Sequence, residues 1–301
     1  MDSIVEVKNI TKKYGKKKAL DDVTLNIPKG SIYGLVGKNG AGKTTLMRLI
    51  TGLQMPSDGE YKIFGVSYKD KNVTKYRKQI GSLIEQPGIF SDLNAYQNMK
   101  VQFINLGMTS YSRIDEILDM VGLGNVGKKP AMTFSLGMKQ RLGIALAMAG
   151  NPDLLILDEP INGLDPEGIV DIREMLLRIN KENGTTIIIS SHILGELEHL
   201  ATNYAFIDNG KIVKEISSAE LKKECRKSSV LKVKGINELC IVLEKLGLEY
   251  KITGEDTIVV YGDFGLSELV MEASKAGADI LDSETNNENL ESYFLDIVGG
   301  N

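Results

Sequence analysis

Eight consecutive residues, GKNGAGKT at 37–44, carry the densest chemical signal in the chain. They fit G-x-x-x-x-G-K-[ST] at every fixed position and lie between an apolar run, SIYGLV at 31–36, and a segment of helical period. Glycines in such a loop let backbone N–H groups turn toward a phosphate chain, and the start of the following helix adds its positive end. Gly37, Asn39, Gly40, Ala41, Gly42, Lys43, Thr44 and the following Thr45 therefore read as a cradle for a nucleoside triphosphate. Lys43 is expected to reach the β and γ phosphates, and the Thr44 hydroxyl to ligate Mg²⁺.

A second group of chemical residues follows an apolar run. In LLILDE at 154–159, four apolar residues deliver Asp158 and Glu159 to the carboxyl end of a buried strand, where open α/β sheets bind ligands. There Asp158 can hold Mg²⁺, directly or through water, and Glu159 can orient and deprotonate an attacking water. Two adjacent carboxylates before Pro160 could instead cap a helix.

The elements that must position these residues follow from periodicity. Residues 3–8 and 22–28 alternate as half-buried strands do, with a turn at Lys29-Gly30. Residues 31–36 read as a short strand running straight into glycines, and the mainly apolar runs at 154–158 and 185–190 as parallel strands buried on both faces. Helices are expected at 43–52, 95–106, 112–121, 136–149 and 166–182, the last ending at Asn183-Gly184. Asn209-Gly210 within AFIDNGKIV supplies the positive φ angles of a tight hairpin turn. After a short helix, AELKKECRK, the pattern restarts as strand 230–234, helix 236–246, strands 248–253 and 257–261, helix 266–276 and strand 279–282. This βαββαβ order predicts a small ferredoxin-like sandwich, with a last amphipathic helix in NENLESYFLDIV before Gly299-Gly300.

Composition bounds the rest. The chain has 301 residues, 42% of them hydrophobic, enough for one large domain and a small one. A net charge of −4 argues against a general nucleic-acid binder, and no nucleic-acid partner is expected. The local cluster Lys12, Lys13, Lys16, Lys17 and Lys18 reads as a solvated loop face or a polyanion site. The two cysteines, Cys225 and Cys240, have no metal spacing and no disulfide framework, as packing residues in a reducing compartment would. The N-terminus shows no signal peptide, and no apolar stretch is long enough to span a membrane.

The phosphate loop, Gln86 in IEQPGIF, FSLGMKQR at 134–141, LLILDEP, NGLDP at 162–166 and His192 in SSHIL occur in an order that resembles the ATP-binding cassette (ABC) ATPases over about residues 1–225. The resemblance implies a P-loop NTPase of mixed sheet with an antiparallel portion and a helical insertion at about 88–150, followed by the α+β domain at 226–301. It implies that ATP is held between two cassettes paired head to tail as a homodimer. Tyr14 is similar to the aromatic that stacks on adenine, and a plain strand-end tyrosine is its alternative. Gln86 would contact Mg²⁺ or the attacking water, unless it is a structural glutamine. His192 would touch the γ phosphate and keep Glu159 and the water in place, and Asp165 would link the two composite sites while capping a helix with Pro166 at its first turn. Ser135 and Gly137 would face the γ phosphate across the dimer, with Leu136 and Met138 in place of the usual glycine and glutamine.

The same resemblance implies a transporter subunit. With no spanning segment, transport would need a separate integral membrane permease docking near Gln86, with this chain on the cytoplasmic face of the membrane as a peripheral subunit. FSLGMKQRLGIA together with the C-terminal extension is similar to the bacitracin and lantibiotic resistance group of bacterial exporters, whose permeases are of the ABC-2 type. The alternative is a soluble ABC ATPase that remodels or senses a cytosolic partner.

Overall fold

The structure, a computed structural model, describes residues 2–224, 228–262, 264–286 and 293. Cys225 and the expected helix at 287–298 lie outside the described residues, apart from Tyr293. Two compact units divide the chain, Met1–Ser218 and Ala219–Asn301.

The first unit opens with β1 (Ser3–Tyr14), β2 (Lys17–Pro28) and β3 (Ile32–Val36), then α1 (Lys43–Ile50), β4 (Asp58–Ile63), β5 (Val66–Ser67), α2 (Val73–Arg77) and β6 (Ile80–Leu83). Helices α3 (Ala95–Asn105), α4 (Ile114–Met120) and α5 (Leu136–Met148) form the insertion. The chain returns through β7 (Leu154–Leu157), α6 (Pro166–Asn183), β8 (Thr186–Ser191), α7 (Leu194–Leu197), β9 (Asn203–Asp208) and β10 (Lys211–Ser217). Asn209 and Gly210 both adopt positive φ, 46° and 78°, and close the β9–β10 hairpin.

Two sheets result. One is antiparallel, in the order β2-β1-β4-β5, and the other runs β10-β9-β3-β8-β7-β6, parallel except for the β9–β10 pair. Strands β3, β7 and β8 are buried at every residue, which explains why apolar residues dominate them without alternation. Side chains from both sheets and from α1 form one core. Helix α6 crosses from β7 to β8 and buries Ile172, Met175, Leu176 and Ile179, spaced i, i+3, i+4, i+7, before Gly184 caps it in the left-handed region. Each such side chain contributes about 1.5–3 kcal/mol on burial.

A buried tyrosine, Tyr33, belongs to β3, the strand that leads into the phosphate loop. The hydroxyl of Tyr33 is held far above its ordinary ionisation range, first by burial and then by the charge of Glu215 on β10. Desolvation in turn pushes the Glu215 carboxyl above the usual value of 4.5, which the Tyr33 hydroxyl only partly offsets. A carboxyl raised on folding makes the native state bind more protons than the unfolded chain, so its contribution is favourable at low pH and is lost as pH rises from about 4.5 through the raised value. Glu215→Gln should therefore match the parent's melting temperature near pH 4 and exceed it at pH 7. Thermal unfolding across that range checks this, and a variant less stable at pH 7 than at pH 4 relative to the parent would contradict it.

The second unit has α8 (Ser218–Glu224) at its start, then β11 (Ser228–Lys234), α9 (Ile236–Lys245), β12 (Tyr250–Ile252), β13 (Thr257–Tyr261), α10 (Leu266–Lys275) and β14 (Asp279–Asn286). Its sheet runs β12-β13-β11-β14 and is antiparallel throughout, the split βαβ arrangement of ferredoxin-like domains. Leu231, Val233, Ile258 and Val260 from one sheet face pack on Leu239, Val242, Leu243 and Leu269 of the helices. No helix among the described residues is long and apolar enough to cross a membrane.

Candidate functional site

Strands β3, β8 and β7 lie side by side and end together, so the loops that follow them meet at one sheet edge. The register pairs Val36 with Ser191 and Leu157 with Ile189, which sets Asp158 beside Ser190. That edge is the carboxyl end of the parallel strands, where such sheets bind ligands.

Helix α1 starts at Lys43, capped by Gly42 at φ 118°, a conformation that a side chain would strain. At Gly37 space is the limit, because a Cβ would sit 2.3 Å from the Ile207 carbonyl oxygen. The loop thus packs backbone to backbone, while the first N–H groups of α1 have no helical acceptor and are available to an anion.

Lys43 is 4% exposed and crosses this loop. Its Nζ donates to the Gly37 carbonyl at 2.6 Å and to the Lys38 carbonyl at 3.3 Å, and pairs with Glu159 Oε1 at 3.2 Å. Thr44 Oγ1 donates to Asp158 Oδ2 at 2.7 Å. The other oxygen of Asp158 accepts from Ser190 Oγ at 2.6 Å, and Ser190 Oγ accepts from the Glu159 N–H at 2.8 Å. Glu159 Oε2 lies 3.1 Å from His192 Nδ1 and accepts from Asn162 Nδ2 at 3.1 Å. The Glu159 carboxylate is thus surrounded by one cation and two nitrogen groups, an arrangement suited to fixing a base and the water it activates.

Tyr14 ends β1 and, with Lys17, Asn39, Lys43, Thr45 and Glu159, lines a cleft of about 290 Å³. Its ring is 46% exposed, its hydroxyl donates to Gln54, and the Lys12 ammonium lies 5.3 Å from the ring centroid. An exposed aromatic face at one end and the phosphate loop at the other give this cleft the polarity of a nucleotide.

Not every expected residue meets this cluster. Gln86 is exposed and lines a separate cleft of about 370 Å³ with Leu53, Gln102, Leu106 and Leu146. None of the described bonds of Lys43, Asp158 or Glu159 reaches it. The residue before it, Glu85, at φ 64°, pairs instead with Arg48 on α1. His199 is exposed, and Cys240 is a free thiol.

Ser135 and Asp165 are both helix N-caps. Ser135 Oγ accepts from Met138 N at 3.3 Å, and Asp165 Oδ1 from Gly168 N at 3.0 Å, with Pro166 in the first turn of α6. Together with Gly137 and Gly163 they line a cleft of about 430 Å³ that shares no residue with the Tyr14–Lys43 cleft. Two residues of the main cluster lie inside NGLDP and SSHIL but have no role assigned by those motifs, Asn162 and Ser190. A serine near the end of a strand buried at every residue is itself a sign of a bonded polar group.

The comparisons agree with this geometry. The family described as ABC transporter matches residues 20–162. The bacitracin transport ATP-binding protein BcrA of Enterococcus faecalis is 42% identical, covering 100% of this chain and 98% of its own length. The lantibiotic transport ATP-binding protein SrtF of Streptococcus pyogenes is 47% identical over 76% of this chain and 98% of its own. Among solved structures, the dimeric post-hydrolysis state of the cassette MJ0796 bound to ADP and Pi superposes with a TM-score of 0.64 at 29% identity, covering 71% of this chain and 98% of that one. A cleft built for a triphosphate, a fixed carboxylate beside it and relatives matched along the full length have one reading: the chain belongs to the ATP-binding proteins of ABC transporters and is an ATP-hydrolysing enzyme.

Proposed function

We propose that this chain is the ATPase subunit of a bacterial exporter of antimicrobial peptides, a homodimer at the cytoplasmic face of the membrane that powers a separate ABC-2 type permease. The observation that carries this reading is the 42% identity to a bacitracin transport ATP-binding protein, which runs through the C-terminal unit as well as the cassette. The two unshared clefts support the pairing. A head-to-tail dimer brings the Ser135 and Gly137 cleft of one copy over the Tyr14 and Lys43 cleft of the other, closing both.

In each composite site Tyr14 stacks on the base, and the loop from Gly37 to Thr45 holds the phosphates. Lys43, paired with Glu159 before nucleotide arrives, turns to the β and γ phosphates, which frees Glu159 Oε1. The carboxylate, still held by His192 and Asn162, takes the proton of the attacking water. Thr44 and Asp158 offer a hydroxyl and a carboxylate oxygen 2.7 Å apart, hard donors that fit Mg²⁺, and the ion, when bound, neutralises charge on the phosphates. Asp165, at the start of α6, joins the two sites, and Gln86 reports to the permease from its own cleft, which the exposed Leu53 and Leu106 also line.

Co-expression with an ABC-2 type permease from the same genome, in a bacitracin-sensitive host, is expected to raise the inhibitory concentration of bacitracin and to place the chain in the membrane fraction. Lys43→Ala should remove the gain. No protection from the intact pair, with the chain absent from membranes, would overturn export and leave a soluble ATPase.

A further inference from the structure

Asp158 and Glu159 are tied together by a side chain that belongs to neither the phosphate loop nor the acidic motif. Ser190 is 0% exposed near the end of β8, following Ile187, Ile188 and Ile189, all buried. A hydroxyl in such a place costs stability unless it is bonded, and this one is bonded twice. It donates to Asp158 Oδ1 at 2.6 Å, a short charge-assisted bond, and accepts from the Glu159 N–H at 2.8 Å.

Each bond fixes something different. With Oδ1 held by Ser190, the carboxylate of Asp158 has one orientation, and its Oδ2 faces Thr44 and the phosphate loop. Glu159 stands at φ 48°, left-handed and uncommon for a residue with a side chain. The bond from its N–H offsets part of that strain and directs the side chain to Lys43, His192 and Asn162. One hydroxyl therefore sets the metal-side carboxylate and the base-side backbone at once.

We propose that Ser190 is a positioning residue for hydrolysis, locking Asp158 and Glu159 into one geometry before nucleotide binds. The proposal rests on the roles given above to those two carboxylates. When Thr44 turns its hydroxyl away from Asp158, the Ser190 bond remains, so the carboxylate is already aligned and no reorganisation is needed during the reaction.

Ser190→Ala, Ser190→Cys and Ser190→Thr test this in the full chain, alongside Glu159→Gln. Loss of an outer-shell partner of this kind lowers activity or metal affinity about ten- to hundred-fold. For Ser190→Ala, kcat is expected to fall by about that factor, and the Mg²⁺ concentration that half-saturates binding of a fluorescent ATP analogue to rise about tenfold. Binding of the same analogue in EDTA should stay within about twofold, and Ser190→Thr, which keeps the hydroxyl, should recover most of the loss. Ser190→Cys keeps the volume and serves if the alanine variant fails to fold. Turnover and Mg²⁺ dependence like the parent's in either variant would overturn the proposal, as would equal losses with Mg²⁺ and in EDTA, which mark a merely structural serine. Normal hydrolysis by Glu159→Gln would instead overturn the assignment of Glu159 itself.

Discussion

Glu159→Gln is expected to bind ATP as the parent does, to lose hydrolysis by about 10²–10⁴-fold, and to accumulate as an ATP-bound dimer. The substitution is nearly isosteric, so the contact of Asn162 Nδ2 with the Oε2 position can persist, and the backbone bond to Ser190 is untouched. What disappears is the ability to accept a proton and the charge that pairs with Lys43. Because that pair competes with the phosphates for the Lys43 ammonium, removing it should leave nucleotide affinity equal or higher. Equilibrium binding of a fluorescent ATP analogue, phosphate release and light scattering with ATP separate the three effects. Phosphate release at the parent rate would show that the proton goes elsewhere.

The cassette was legible wherever one local rule sufficed. The mainly apolar, non-alternating runs at 31–36, 154–158 and 185–190 lie within one residue of β3, β7 and β8, because a strand buried on both faces needs no alternation. The helices expected from 43, 95, 136 and 166 begin at those residues, the last two behind Ser135 and Asp165 as caps. The region 53–92 is different. Strand β4 begins inside Pro56-Ser57-Asp58-Gly59, a sequence of turn residues, and β6 is four residues long with a glycine inside it. Their pairing to β1 and β7 is decided by tertiary partners far along the chain, which no local period records.

The site shows the same division. Lys43, Thr44, Asp158, Glu159 and His192 were marked by motifs, and they converge because β3, β7 and β8 end together. Ser190 and Asn162 stand within SSHIL and NGLDP, but the motifs give them no role, and only their bonds to the two carboxylates reveal one. Gln86 shows the converse. The family resemblance assigns it to Mg²⁺ or the attacking water, whereas the left-handed turn at Glu85 gives the contact with α1 to Glu85 and leaves Gln86 on another cleft. A one-residue change of direction in a loop is set by backbone conformation, and residue type alone does not specify it.

The second large effect is expected at FSLGM. Ser135→Arg should abolish ATP-dependent dimerisation while monomer ATP binding stays within about twofold, since the Tyr14–Lys43 cleft contains no residue of the Ser135 cleft. Ser135 is exposed at the N-terminus of α5, and its hydroxyl caps Met138 N. Losing that cap costs about 1 kcal/mol, which Ser135→Ala would share. Only the arginine adds bulk and a fixed charge at the surface that, in the proposed dimer, closes over the phosphates of another copy. Leu136, 50% exposed against Gly163, stands where the family resemblance expects glycine and Met138 where it expects glutamine, so the backbone donors at the start of α5 and the serine hydroxyl are left to make the polar contact in the proposed dimer. Measured in the Glu159→Gln background, where dimers accumulate, light scattering should report dimer for Ser135→Ala and monomer for Ser135→Arg. Undiminished dimerisation of the arginine variant would place the γ-phosphate contact away from α5.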